Sequence, residues 1–309
     1  MIRFCGCSLL AAPHSPNDHA QPSGKPARRQ VMVAGKRIKT VDIHAHCCVP
    51  KAMAVIGHPL EAPALLMDDS ANALSTRLAA MDAQGLDVEA LSINPFWYKA
   101  GRDESAELIR IQNEALVEFC AATPDRFVAF ATAALQHPEL AAEQVEHVVK
   151  KLGFRGVGVG GSGLLTNTIG NPLETTIALS HLIFEGTLDR FPGLKICAAH
   201  GGGFLPSYAN RSDAVIRTFP NRVGPLPKKK PTQYLRDGQL FFDTIVFTPE
   251  ALRHLIAETG AGQIVIGTDY PFPWTSTEVD LVLSTPGLSD DERIAILGGT
   301  ASRLLGIKP

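Results

Sequence analysis

Val41-Asp42-Ile43-His44-Ala45-His46 is the stretch that decides how the chain is read. Its β-branched start and alternation predict a strand, on which His44 and His46 point the same way with Asp42 in register behind them. Two imidazoles so placed can meet one divalent cation, because neutral imidazole is a good ligand for zinc and its neighbours. A lone pair of histidines is more often plain surface or core material, so the metal reading depends on what else the chain supplies. It supplies His200 ahead of three glycines, and Asp269 at the end of another apolar run.

Working outward, helical spacing predicts helices over residues 70–84, 104–121, 138–152, 172–190, 205–217 and 249–259, with closing helices across 289–305. The first carries Leu74, Leu78 and Met81 on one stripe, with Asp68, Asp69 and Ser70 as capping candidates and Gly85 as its stop. Between the helices, apolar runs led by Val41, Val88, Phe127, Phe154, Leu194, Leu240 and Ile264 read as seven strands. Strands alternating with helices predict parallel units with right-handed crossovers, and their number favours a TIM-type (β/α)8 barrel. One unit is missing between Gly163 and Asn171, where a helix and a strand would need roughly 15 to 20 residues. The barrel is therefore expected to be distorted or incomplete around its fifth strand, unless Leu164 to Ile169 serves as a shortened one.

Composition sets the outer limits. The 309 residues, 45% hydrophobic and 19% charged, suit one large barrel domain over residues 31–309 behind a flexible extension, residues 1–30, rich in Pro, Ser, His and Arg. A formal net charge of −2 argues against nucleic acid, and the one basic run, Lys228 to Lys230, sits between prolines as a solvated loop. No apolar run reaches the roughly 18 residues of a membrane span. The six cysteines (Cys5, Cys7, Cys47, Cys48, Cys120 and Cys197) have no framework spacing and suit a reducing, cytoplasmic compartment.

In β/α barrels the reacting groups lie at the carboxyl ends of the strands. His44 and His46 close the first strand, His200 the sixth and Asp269 the last, so all four converge on one mouth. Singly, each has a bland alternative: Asp269 before Tyr-Pro-Phe-Pro can simply start a turn, and His200 can be a packed histidine beside a glycine turn. Their equivalent places in a repeating unit favour function. Phe96-Trp97-Tyr98 and Phe272-Pro273-Trp274 follow the second and last strands and could wall a flat apolar pocket, with Phe96, Trp97 and Trp274 as substrate contacts.

Val41 to His46, Arg190-Phe-Pro-Gly-Leu-Lys-Ile-Cys-Ala-Ala-His200-Gly-Gly-Gly, Phe242-Asp-Thr-Ile-Val-Phe and Gly267-Thr-Asp-Tyr-Pro-Phe-Pro resemble the metal-dependent decarboxylases of the amidohydrolase superfamily. The nearest type is aminocarboxymuconate-semialdehyde decarboxylase, and the likeness runs from about residue 38 to the C-terminus. It implies one divalent ion, usually zinc, held by His44, His46 and Asp269, with His200 moving the proton. Arg211 matches a family arginine that reaches a substrate carboxylate across a homodimer interface, a task suited to a guanidinium. As a plain sequence feature, Arg211 is equally well a surface helix arginine.

Two departures stand out. The family has a further histidine ligand at the end of its fifth strand, yet none lies between His147 and His181, and His181 falls mid-helix. Its second carboxylate-binding arginine has no match between Glu61 and Ala73. Two histidines and a carboxylate still suffice for a zinc site, so a weakened or impaired centre is expected. The resemblance implies non-oxidative decarboxylation of a conjugated or aromatic acid. Hydrolysis of a lactone, ester or amide is the nearest rival, and a non-catalytic or incomplete family member is the third possibility.

Overall fold

The computed structural model describes residues 28–60, 65–67, 71–158, 166–222, 226–272 and 277–308. A short hairpin, β1 (Met32–Val33) and β2 (Lys36–Arg37), leads into β3 (Val41–His46), α1 (Pro50–Val55), α2 (Ala71–Gln84), β4 (Val88–Ser92), α3 (Arg102–Ala122), β5 (Phe127–Ala129) and α4 (Pro138–Lys150). Then come α5 (Asn171–Phe184), α6 (Thr187–Arg190), β6 (Ile196–Ala198), α7 (Leu205–Thr218), α8 (Pro231–Tyr234), β7 (Leu240–Asp243), α9 (Pro249–Thr259) and β8 (Ile264–Val265). The chain closes on α10 (Glu278–Ser284), α11 (Asp290–Ile294) and α12 (Thr300–Leu305).

The helices follow their apolar stripes and punctuation. Pro249 opens α9 behind Thr248, whose side chain accepts from the Ala251 N–H, and the helix ends at Gly260. The helix expected over 172–190 is two helices, α5 and α6, because Gly186 takes φ 70° between them. The capping candidates Asp68, Asp69 and Ser70 lie outside the described residues. The described residues start at Arg28, ahead of the expected boundary at Val31; Arg28 pairs with Asp82 and Asp87, and Arg29 with Asp280.

All strands after the hairpin run parallel. The order β3-β4-β5 forms one ladder and β6-β7-β8 another. The two join where Ile43 N–H donates to Ile266 O (2.9 Å), Asp269 N–H to His44 O (2.8 Å) and His46 N–H to Tyr270 O (2.7 Å). A bridge from Ala131 to Val157 adds the fourth position. The array therefore reads Val157, β5, β4, β3, β8, β7, β6, an order that brings the carboxyl ends of β3, β7 and β8 side by side. The outer edges at Val157 and β6 have no pairing to each other among the described residues, so a closed barrel is not seen.

The expected gap falls between those two edges. Residues 159–165 lie outside the described residues, and Thr166–Gly170 forms a π-helical turn running straight into α5. Of the stretch from Leu164 to Ile169 that might have been a shortened strand, the described part is therefore helical. The core has two main parts. Leu91, Trp97, Leu108, Leu116, Phe127 and Phe242 belong to the larger cluster, and Val41, Ile43, Val88, Ala90 and Val265 pack with Ala301 and Leu305 of α12 in the smaller.

Candidate metal centre

Three strand ends build the centre. His44 and His46 come from β3, Asp243 ends β7, and Asp269 lies beyond β8. Gly267 makes their approach possible: a Cβ there would sit 2.9 Å from Asp243 Cβ and 3.0 Å from His44 Cβ. His200 and Asp269 both hold left-handed backbone conformations (φ 55° and 56°), a costly state for non-glycine residues that clusters at functional sites. The glycines after His200 are needed for contact as well as for turning. A Cβ on Gly203 would meet Pro172 O of α5 at 2.1 Å.

Hydrogen bonds set the imidazole tautomers. His44 Nδ1 lies 2.8 Å from Asp243 Oδ2, a carboxylate oxygen that can only accept, so the proton belongs on Nδ1. His46 Nδ1 lies 3.2 Å from Ser92 Oγ, whose own hydrogen goes to Ala45 O, so Nδ1 again donates. Both Nε2 lone pairs are thereby left facing one point. The two Nε2 atoms are 3.0 Å apart, and Asp269 Oδ1 is 2.8 Å from His46 Nε2 and 3.3 Å from His44 Nε2. Two imidazole nitrogens and a carboxylate oxygen this close repel unless a proton or a metal ion sits among them, and ligand atoms about 2.1 Å from one zinc would have a similar spacing. The donor set fits a divalent metal ion.

His200 joins from the other side. Ligand atoms of His44, His200 and Asp269 lie within 4.8 Å of one another, and the His44 and His200 ring centroids are 5.5 Å apart. Its Nδ1 is buried without a hydrogen-bond partner among the described residues, an orphan that a bound ion or substrate would satisfy. Asp243, which carried no assigned role in the sequence, organises this side too. Its Oδ2 also accepts from His200 N–H (3.0 Å), and its Oδ1 accepts from Gly201 N–H (2.8 Å) and Ile245 N–H (3.2 Å).

The electrostatics agree with the geometry. Burial disfavours charge on His44, but the bonds to Asp243 and Asp269 outweigh it and raise its pKa to about 10. That preference for positive charge is one a metal ion would meet. Burial lowers His46 and His200 instead, against the pull of the nearby carboxylates. Although burial opposes ionisation of Asp269 and Asp243, the facing histidines hold Asp269 far below the ordinary carboxylate range, and His44 lowers Asp243.

Some expected residues fall elsewhere. The alternation that put Asp42 behind the histidines is broken by a register shift between Asp42 and Ala45: Asp42 aligns with Glu89, whereas His46 aligns with Ser92. Asp42 ties strands together instead, accepting from Thr268 N–H and hydroxyl. Trp97 is fully buried and donates to Ala133 O, which makes it core rather than pocket wall. Phe96 stacks on His58 with centroids 4.7 Å apart, Trp274 lies outside the described residues, and Phe272 is the aromatic ring beside His46, at 5.7 Å. His181 is exposed on α5 and pairs with Glu185, so it does not replace the missing ligand. Arg211 is exposed on α7.

The amidohydrolase family model matches the chain in two stretches, residues 41–168 and 159–307. The chain belongs to the amidohydrolase family. The two stretches overlap at residues 159–168, which takes in part of the segment where the strand count lacks a unit. Among its relatives are 2-amino-3-carboxymuconate-6-semialdehyde decarboxylase of Dictyostelium discoideum, 25% identical over 75% of this chain and 76% of that protein, and gamma-resorcylate decarboxylase of Polaromonas sp., 28% identical over 74% and 86%. Among solved structures, a dihydroxybenzoic acid decarboxylase from Polaromonas sp. with bound manganese and 2-nitroresorcinol superposes with TM-score 0.72 at 25% identity, covering 87% of this chain and 97% of that one. The 5-carboxyvanillate decarboxylase of Sphingomonas paucimobilis shares the fold, with TM-score 0.74 at 22% identity over 88% of this chain and all of its own. The relatives and structural neighbours named here are decarboxylases. No helix among the described residues is long and apolar enough to cross a membrane.

Proposed function

We propose that this amidohydrolase is a metal-dependent, non-oxidative decarboxylase of an aromatic or conjugated carboxylic acid, built on a (β/α) barrel whose fifth unit is cut back to a turn. The observation that carries the reading is the convergence of His44 Nε2, His46 Nε2 and Asp269 Oδ1 within 3.3 Å, with the Nδ1 of each imidazole turned outward to Asp243 or Ser92. Its relatives and the manganese-bearing neighbour perform this class of reaction on carboxylated rings or conjugated acids by name. Zinc is the ion that this imidazole and carboxylate set suits first, and manganese the alternative. When bound, the ion supplies a Lewis acid that polarises the substrate.

The protein's own groups do the rest. Asp243 and Ser92 hold the imidazoles in orientation, and Phe272 lies beside His46 as an apolar wall. His200 takes up a proton from substrate or solvent and delivers it to the substrate carbon in place of the carboxyl: C–COO⁻ plus H⁺ gives C–H plus CO2. The partner is a second copy of the chain. Phe204, which caps α7, and Tyr208, Arg211 and Val215 on it recur at helical spacing as an exposed stripe, beside exposed Leu173 and Ile177 on α5. Arg211 has no acidic partner among the described residues, which suits a guanidinium reserved for a substrate carboxylate in the other protomer's site.

The test is CO2 release from hydroxylated benzoates and conjugated dicarboxylates by purified protein with added Zn2+ or Mn2+, beside a lactonase and esterase assay on the same sample. Metal-dependent CO2 release supports the reading, and hydrolysis without CO2 overturns it. The absent fifth-strand histidine favours a second reading, a scaffold that has lost catalysis, and metal binding without any turnover would establish that one.

A further inference from the structure

The buried stripe of α2 runs through Ala73, Arg77 and Met81, four residues apart, with a charge at its centre. Such a charge is costly unless its hydrogen bonds are met. Arg77 is 4% exposed. Its Nε donates to Glu89 Oε2 of β4 at 2.7 Å, its Nη1 donates to His46 O at 2.7 Å, and its guanidinium carbon stands 5.0 Å from the Tyr270 ring centroid. Tyr270 follows Asp269, and its carbonyl accepts from His46 N–H at 2.7 Å. One side chain thus touches β3 at a proposed ligand, β4 through a buried acid, and the segment after β8 through the neighbour of another proposed ligand.

We propose that Arg77 is a positioning residue for the metal centre, clamping His46 and the Asp269-Tyr270 segment at the separation the ion requires. The inference rests on the metal reading above. His46 is held from both sides of its backbone: Tyr270 takes its N–H, and Arg77 donates to its carbonyl. The planar fork of arginine reaches the Glu89 carboxylate and the His46 carbonyl in two directions while its face lies against Tyr270. A lysine has one ammonium on a flexible stem and cannot hold all three. Glu89, fully buried, fixes the guanidinium plane rather than the ion.

The decisive experiment measures metal affinity rather than turnover. The double variant R77M/E89Q removes both charges together, so no unpaired charge is left in the core, and circular dichroism with thermal melting checks its fold. Zn2+ and Mn2+ are titrated in competition with a chromophoric chelator. The expected result is a melting temperature close to wild type and a dissociation constant raised by about tenfold or more. Arg77→Lys, which keeps the charge, is expected to recover affinity only in part. A folded double variant within about twofold of wild type, or full recovery with lysine, overturns the clamp. Wild-type protein that binds neither ion overturns the metal reading and this inference with it, whereas wild-type binding with unchanged variants overturns the inference alone.

Discussion

Asp243→Asn is the substitution that presses hardest on the site's logic. The two oxygens of Asp243 accept four N–H groups: Gly201 and Ile245 on Oδ1, His44 Nδ1 and His200 on Oδ2. Asparagine has nearly the same shape but one acceptor. If its oxygen stays with Gly201 and Ile245, its NH2 faces the His200 N–H and the His44 Nδ1. His44 then escapes a clash by moving its proton to Nε2, the nitrogen aimed at Asp269 and His46. The ligating lone pair is lost with the tautomer. Two charge-assisted bonds disappear, each worth about 1.5–3 kcal/mol, so folding stability should fall by about 3–6 kcal/mol. Metal affinity should fall about 10- to 100-fold, as for other partners of ligating histidines. Chelator competition gives the affinity, and urea unfolding gives the stability. An asparagine variant that binds metal within about twofold of wild type would refute the tautomer argument, whatever its stability.

Further expectations follow from individual contacts. His200→Gln should retain the metal while kcat drops by about 10²- to 10⁴-fold, measured as CO2 release, and loss of the metal would make His200 a ligand instead. Glu278, 2% exposed with Oε2 unpartnered among the described residues, is raised by burial from 4.5 to about 8. Its neutral form is the buried one, so its contribution is intact below about pH 4.5 and lost as pH rises through about 8. Glu278→Gln should therefore match wild type near pH 4.5 and exceed it by roughly 3–5 kcal/mol above pH 8, read from denaturant midpoints. Gly203→Ala, forced against Pro172 O and into a left-handed backbone, should lower the melting temperature and loosen His200; an unchanged melting curve would contradict that packing.

Much of this arrangement can be read from the chain, and the exceptions have physical reasons. His44, His46, His200 and Asp269 announce themselves because each ends an apolar run, and parallel topology brings such ends together. The shortage of chain between Gly163 and Asn171 is equally legible, since chain length cannot be hidden. Asp42 misleads, because a single-residue shift in register turns a strand face without altering the pattern of residue types. Trp97 misleads in the other direction: an aromatic at a loop start gives no local sign of whether it faces a cavity or, as here, donates to Ala133 O within the core. Asp243 has the same signal as Asp269, an acid at the end of an apolar run, and consistent use of that rule would have found it. Arg77 leaves a subtler mark, a charge at the centre of an apolar helical stripe, which only a buried acceptor can explain.

The most direct measurement is anomalous diffraction from crystals of the protein grown with Mn2+ or Zn2+, collected at the metal's absorption edge. The arrangement described here predicts one strong peak per chain, about 2.0–2.3 Å from His44 Nε2, His46 Nε2 and Asp269 Oδ1. No peak among those three atoms, or a peak elsewhere with the imidazoles bonded only to each other, would contradict it.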